Sequence, residues 1–301
     1  MKPGWFVLGD IDGFFGLFVD NLLQLMLIAV LCTNVCGMPP ELVYGRIMPG
    51  AALSILFGNL FYAWQARRLA IREGRTDVTA LPYGINTVSL IAFIFLIIAP
   101  IYFETKNPTL AWQAGLFACL LSALLECAGA FVGDWLRRHT PRAALLSSLA
   151  GIAITFISMG FVFQIFALPA IALVKLPLGL PGGFVAVALG VGIGWLLRWL
   201  GYPYFQPLAE PYAFALHLPQ TAIGDMLAFL VNGQGWKYFS VIFPMALFNV
   251  IGSLQNLESA EAAGDRYDTR SSLLVNGVGS IVAAALGNPF PPSTSVTRGG
   301  R

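Results

Sequence analysis

Apolar runs of about 20 residues, long enough to cross a hydrocarbon core of about 30 Å, recur along the whole chain. They fall at 14–35, 47–64, 80–101, 110–132, 143–166, 183–200, 238–263 and 272–286. Only 11% of the residues are charged while 57% are hydrophobic, whereas a soluble domain carries about 25% charged residues. A helix pairs its own backbone groups inside lipid. The composition therefore predicts an all-α polytopic membrane protein of about eight transmembrane helices.

The arginines set the expected orientation. Arg67, Arg68, Arg72 and Arg75 follow the second run, and Arg137, Arg138 and Arg142 follow the fourth, while the segments around Glu104 and Lys175 are poor in positive charge. The positive-inside bias puts both clusters in the cytoplasm, together with the N-terminus. The first ten residues lack the basic patch and cleavage site of a signal peptide, so the first span is expected to stay in the mature protein. The expected setting is the plasma (inner) membrane, with the lipid bilayer as partner and no nucleic acid. Cys32, Cys119 and Cys127 lie inside apolar runs and Cys36 directly after one, away from His139 and His217. They read as small packing residues, and neither a metal nor a cofactor is expected.

The third run opens on Asp77-Val78-Thr79-Ala80-Leu81-Pro82-Tyr83-Gly84-Ile85-Asn86-Thr87. Proline removes an amide donor and glycine relaxes the backbone, so this span should be broken, with groups that lipid cannot pair. Such backbone is tolerated where it lines a cavity, and discontinuous spans are how secondary transporters hold a solute. Tyr83, Gly84 and Ile85 are accordingly expected to bind substrate, a ring for stacking and N–H groups for edge-on hydrogen bonds. A helix cap or a packed kink is the competing reading, and Asn86 is as suited to capping the next helix as to touching solute.

An internal repeat reinforces this. Pro49-Gly50-Ala51-Ala52 up to Gly58-Asn59-Leu60-Phe61 matches Val278-Gly279-Ser280-Ile281 up to Gly287-Asn288-Pro289-Phe290, and the same offset lays Asp20 and Gln24 over Asn249 and Ser253. Weak self-similarity is what duplication leaves in a transporter. If the halves are equivalent, a second broken span should follow Gly287-Asn288. The chain instead reads Pro-rich and then polar, so residues after Pro291 are expected to be irregular and poorly packed.

Phe248-Asn249-Val250-Ile251-Gly252-Ser253-Leu254-Gln255-Asn256-Leu257-Glu258, Val275-Asn276-Gly277-Val278-Gly279-Ser280 and Ala80-Leu81-Pro82-Tyr83-Gly84-Ile85-Asn86 resemble the xanthine/uracil permease group of the nucleobase/ascorbate transporter (nucleobase-cation symporter) family. The likeness is closest to the branch that handles purines. It implies a seven-plus-seven inverted-repeat fold, in which a core domain carries a nucleobase-like solute against a gate domain by ion-coupled alternating access. On that reading 1–200 is the first repeat, with core spans over 14–132 and gate spans over 143–200; 201–237 connects; and 238–301 starts a second, incomplete repeat. The resemblance also implies that the third span and its second-half partner are partly extended and meet the base beside the span of Asn249. The family's acid in that span aligns with Asn249, an amide that donates and accepts hydrogen bonds but does not titrate.

Asn249, Ser253 and Asn256 recur at helical spacing on one face. Asn249, Ser253 and Gln24 are expected to contact substrate, with hydrogen bonding between helices as the alternative. Asp20, Glu126 and Glu258 are the coupling candidates for a proton or sodium ion, since an intramembrane acid is costly unless paired, protonated or wetted. A structural role for Glu126 competes equally, and Glu261 reads as solvated. A non-functional truncated permease and a carrier of another small organic anion on the same fold are the alternative functions. Pairing of two copies into a homodimer is left open. An intramembrane enzyme would need a nucleophile with its base or a metal cluster, and no run shows one.

Overall fold

A computed structural model describes residues 8–152, 192–193, 195–196, 199–201, 217–231 and 238–294. The chain divides into one compact unit of Met1–Ile157 with His217–Arg301 and another of Ser158–Leu216. In the second unit the described residues 192–193, 195–196 and 199 are helical and 200–201 form a turn. Most of each of the expected spans 183–200 and 143–166 lies outside the described residues.

The helices of the first unit are α1 (Leu8–Asn34), α2 (Pro40–Glu73), α3 (Thr87–Thr105), α4 (Pro108–His139), α5 (Arg142–Ile152), α6 (Ile223–Val231), α7 (Phe239–Ala262) and α8 (Thr269–Ala285). Among the described residues five helices are long and apolar enough to cross a membrane: Gly13–Asn34 of α1, then α2, α3, α4 and α7. The expected span at 272–286 is the 17-residue α8, shorter than the roughly 20 residues of a crossing. It packs most extensively against α4.

The ends follow local chemistry. Pro40 and Pro108 sit in the first turns of α2 and α4, where a missing N–H costs nothing. Asn107 Oδ1 caps α4 through Thr109 N at 3.0 Å and Leu110 N at 3.1 Å, and Asp268 caps α8 through Ser271 N at 2.8 Å. Gly74, with φ 67°, ends α2 in the left-handed conformation that glycine adopts without strain. Each of α2 and α3 contains one π-helical turn, at Val43–Ile47 and Ile94–Ile98. Asp225 of α6 ties that short helix to α2 and α4, through Arg46 and Gln113, each at 3.0 Å.

At the break one boundary shifts and one expectation is corrected. The third helix starts at Thr87, not near residue 80, and β1 (Tyr83–Ile85) precedes it as an extended strand. β1 pairs antiparallel with β2 (Pro292–Thr294) in the register Tyr83↔Thr294, Gly84↔Ser293 and Ile85↔Pro292. This short two-stranded ladder sits in a fold that is otherwise mostly helical, as an all-α membrane protein is expected to be. The described residues after Pro291 are not loose either, because Ser293 is 5% exposed and Thr294 1%, while the rest of that expectation falls on 295–301, outside the described residues. The physical reason is the backbone accounting of the break itself: a strand's unpaired N–H and C=O groups, buried among helices, are met by a second strand.

Element boundaries bear on the repeat. Pro40 opens α2 and Thr269 opens α8, at the same separation that superposes Gly50 on Gly279, while α1 and α7 end within one residue of that register. Both glycines are points of close approach: a Cβ on Gly50 would overlap Leu286 O, and one on Gly279 would overlap the Tyr83 hydroxyl. The apolar interior forms two clusters, one around Phe93, Trp112 and Phe290 and one around Tyr62, Leu254 and Leu273. β1 joins them, since Ile85 belongs to the first and Tyr83 to the second.

Candidate functional site

The broken segment is held by side-chain amides. Asn59 of α2 accepts from Tyr83 N at 3.3 Å and donates to Tyr83 O at 2.9 Å, and Asn21 of α1 reaches the same carbonyl at 3.5 Å. Its repeat counterpart Asn288 makes the same two-way bond to one aromatic residue, accepting from Phe290 N at 3.0 Å and donating to Phe290 O at 2.9 Å. The Tyr83 ring lies in a slot between α2 and α8, where a Cβ on Gly58 would overlap ring carbons. Gly84 presses on Asn21, whose Oδ1 a Cβ would strike. Tyr83 and Ile85 are 0% and 2% exposed. Asn86 caps α3, accepting from Val88 N at 2.9 Å and Ser89 N at 3.3 Å. Gln24 donates to Thr87 Oγ1 at the start of the same helix.

The polar stripe of α7 faces α4 rung by rung. Asn249 accepts from Ser89 Oγ of α3 and donates to Ser122 Oγ of α4 at 3.0 Å. One turn further, Ser253 donates to Glu126 Oε1 of α4 at 2.8 Å and accepts from Asn276 of α8 at 2.9 Å. Both pairs of rungs, Ser122 with Glu126 and Asn249 with Ser253, have the four-residue spacing of one helix face. Tyr62 of α2 donates to Asn276 Oδ1, with Ser272 O 3.1 Å away. Asn256 reaches β2, donating to Thr294 O. The structure thus brings Asn249 against Ser89, three residues past Asn86, and links Ser253 to Glu126. Gln24 stays with α3, on the α1 side of the break.

Several buried polar atoms here keep unused hydrogen-bonding capacity: Glu126 Oε2, the Tyr83 hydroxyl, Asn21 Oδ1, Gln24 Oε1 and Asn256 Oδ1. Buried polar groups in folded proteins are nearly always paired. Their concentration around one broken strand is a chemical signature in itself.

The candidate acids occupy different settings. Glu126 is fully buried. Tyr62 from α2, Tyr83 from β1, and Cys119 and Cys127 from its own helix lie within its electrostatic reach, and none is a cation. Glu258 is held by Arg137 at 2.6 Å and Arg142 at 2.7 Å. Glu261 also pairs with Arg137, at 2.6 Å, so it is partly buried in an ion-pair cluster where solvation was expected. Asp20 is half-buried on α1 with Gln24 as side-chain partner. Cys32, Cys36 and Cys119 are buried without disulfides. Among the described residues no group of three or more His, Cys, Asp or Glu is placed to hold a metal ion.

Ser89, Ser122, Asn276, Tyr62 and Asn21 join the site without having been singled out by sequence. Ser122 carries a usable signal, four residues before the intramembrane Glu126; Ser89 carries none. Comparison of the chain with protein-family models, with curated proteins and with solved structures finds no match. Fold and site define a helical protein with several helices apolar enough to span a membrane and a polar interior built around a broken one.

Proposed function

We propose that the chain is a multi-pass secondary transporter of the xanthine/uracil permease kind, carrying a planar nucleobase-like solute by ion-coupled alternating access. The observation that supports this reading is the pair of extended strands, β1 and β2, set among helices beside the amide and hydroxyl face of α7. A nucleobase presents donors and acceptors in one plane, and carboxamides such as Asn249 and Gln24 match either kind. Small shifts of α7 against α3 would exchange the Ser89–Asn249 bond for bonds to a base edge. Asn249 does not titrate, and Glu126 stands one rung away through Ser253, so Glu126 is the acid through which a proton or sodium ion acts.

Equilibrium binding of labelled xanthine, hypoxanthine and uracil to the purified chain in detergent tests the solute class. Competition among nucleobases is expected, with no competition from small organic anions of similar size. The reverse pattern would replace this reading with the organic-anion alternative. Asn249→Ala should weaken binding by about 1–3 kcal/mol, the cost of leaving a buried partner unpaired; an unchanged dissociation constant would return Asn249 to helix packing.

Glu126→Gln should flatten the pH dependence of binding, since the amide keeps the hydrogen-bonding shape and removes the titration. A profile that stays as steep as before would leave Glu126 a structural acid. Uptake into vesicles under an imposed proton or sodium gradient then distinguishes the coupling ions.

A further inference from the structure

One face of α2 changes character along its axis. Phe61, Trp64, Gln65, Arg68, Leu69 and Arg72 follow helical spacing and line a cleft of about 620 Å³ closed on its other side by the 266–271 segment. Along the helix, one end of this face is aromatic and the other cationic. Trp64, 52% exposed, carries the Arg68 guanidinium over its ring at 5.4 Å. Aromatic residues followed by arginines are the pattern of a membrane–water boundary. Gln65 forms the floor, donating to Ser271 Oγ at 3.2 Å and tying α2 to α8.

The charge in this cleft is not neutralised internally. Arg68 and Arg72 have no carboxylate partner among the described residues. Among the described residues Arg266, with its side chain 81% exposed, has only Glu261 as carboxylate partner, at 3.9 Å, and that acid is already held by Arg137. Asp268, the acid on the rim, is turned to the Ser271 N–H as the cap of α8. Arg72 and Arg266 also border the adjoining cleft of about 520 Å³, where Arg137 and Arg138 stand with Asp134 and the paired acids Glu258 and Glu261.

We propose that this cleft binds an anionic glycerophospholipid of the arginine-rich leaflet, its phosphate among Arg68, Arg72 and Arg266 and an acyl chain along Phe61 and Trp64. Basic pockets between helices on the cytoplasmic side suit acidic headgroups, and guanidinium forks suit phosphate oxygens. The aromatic end, Phe61 and Trp64, selects a ligand with a tail over a free anion. This inference rests on membrane embedding alone and is independent of the solute.

The test is the thermal midpoint of the full chain purified in a neutral detergent, titrated separately with phosphatidylglycerol, phosphatidylcholine, diacylglycerol and inorganic phosphate. A ligand of the native state raises the midpoint. Phosphatidylglycerol alone is expected to do so, and added salt to reduce the effect. Arg68→Gln and Arg72→Gln should each weaken its apparent affinity roughly five-fold, while Lys106→Gln, outside the cleft, leaves it unchanged. An equal rise with phosphatidylcholine or diacylglycerol would mean a generic lipid effect, and an equal rise with phosphate a simple anion site. Either result overturns the proposal, as would undiminished phosphatidylglycerol affinity in both arginine variants. Should a variant fail to fold, the comparison of the four additives on the unaltered chain still decides.

Discussion

Tyr83→Phe is expected to rescue Gly279→Ala and to leave Gly58→Ala uncorrected. Each alanine alone forces a methyl group into the Tyr83 slot, an overpacking that costs about 1–3 kcal/mol. The two collisions differ in kind. On the Gly279 side the added carbon meets the hydroxyl, and the next ring atom lies 3.2 Å away; on the Gly58 side it meets the ring carbons themselves, with Cγ at 2.6 Å. Removing the hydroxyl relieves the first and not the second. Because that hydroxyl has no hydrogen-bond partner among the described residues, Tyr83→Phe alone should be neutral or mildly stabilising. Denaturation of the purified single and double variants gives the two coupling energies. Equal rescue in both cycles would show that the ring is not gripped from two sides in the way described.

Arg137→Ala should be among the most destabilising single changes in the chain. Arg137 bonds Glu258 and Glu261, each at 2.6 Å, and donates to Thr269, so one side chain of α4 fastens α7 and the start of α8. It is 12% exposed and Glu258 7%. Truncating one partner of a buried ion pair costs about 3–5 kcal/mol, and removing Arg137 leaves Glu258 and Glu261 only the more exposed guanidinium of Arg142 and, for Glu261, the distant Arg266 among the described residues. Arg142 also reaches Glu258, but from a side chain 49% exposed, so Arg142→Ala should cost a small fraction of the Arg137 effect. Comparable losses in the two variants would mean that burial does not govern this cluster.

The break is plain in sequence because Pro82 and Gly84 disrupt a helix whatever packs around them. Its true helix start needs the Asn86 cap, and a cap and a solute contact ask for the same residue type. β2 is illegible for a different reason: Pro289-Phe290-Pro291-Pro292 has the composition of an irregular segment, and a three-residue strand has no period to detect. Only its partner far back along the chain makes it a strand. The stripe of Asn249, Ser253 and Asn256 is visible as a shared helix face. Periodicity does not say what faces it, so the Ser122 and Glu126 rungs required the packing of α4 on α7. Residues 272–286 read as a span by apolar content; the helix there, α8, covers Thr269–Ala285, and beyond it Gly287 at φ 91° turns the backbone and accepts from Trp112 Nε1 at 2.9 Å.

The fastenings of β1 differ in how soon they can form. Asn59 lies only 24 residues before Tyr83 and can close on it as soon as the second and third helices are in place. β2 is among the last described segments to be synthesised, and contacts so distant in sequence carry an entropic cost that delays them. Biogenesis therefore has a built-in sequence of a provisional local clasp followed by a final remote latch. The strand around which the polar interior gathers is completed only when nearly the whole described chain has been threaded into the membrane, so an arrested nascent chain would hold Tyr83 and still lack its opposite strand.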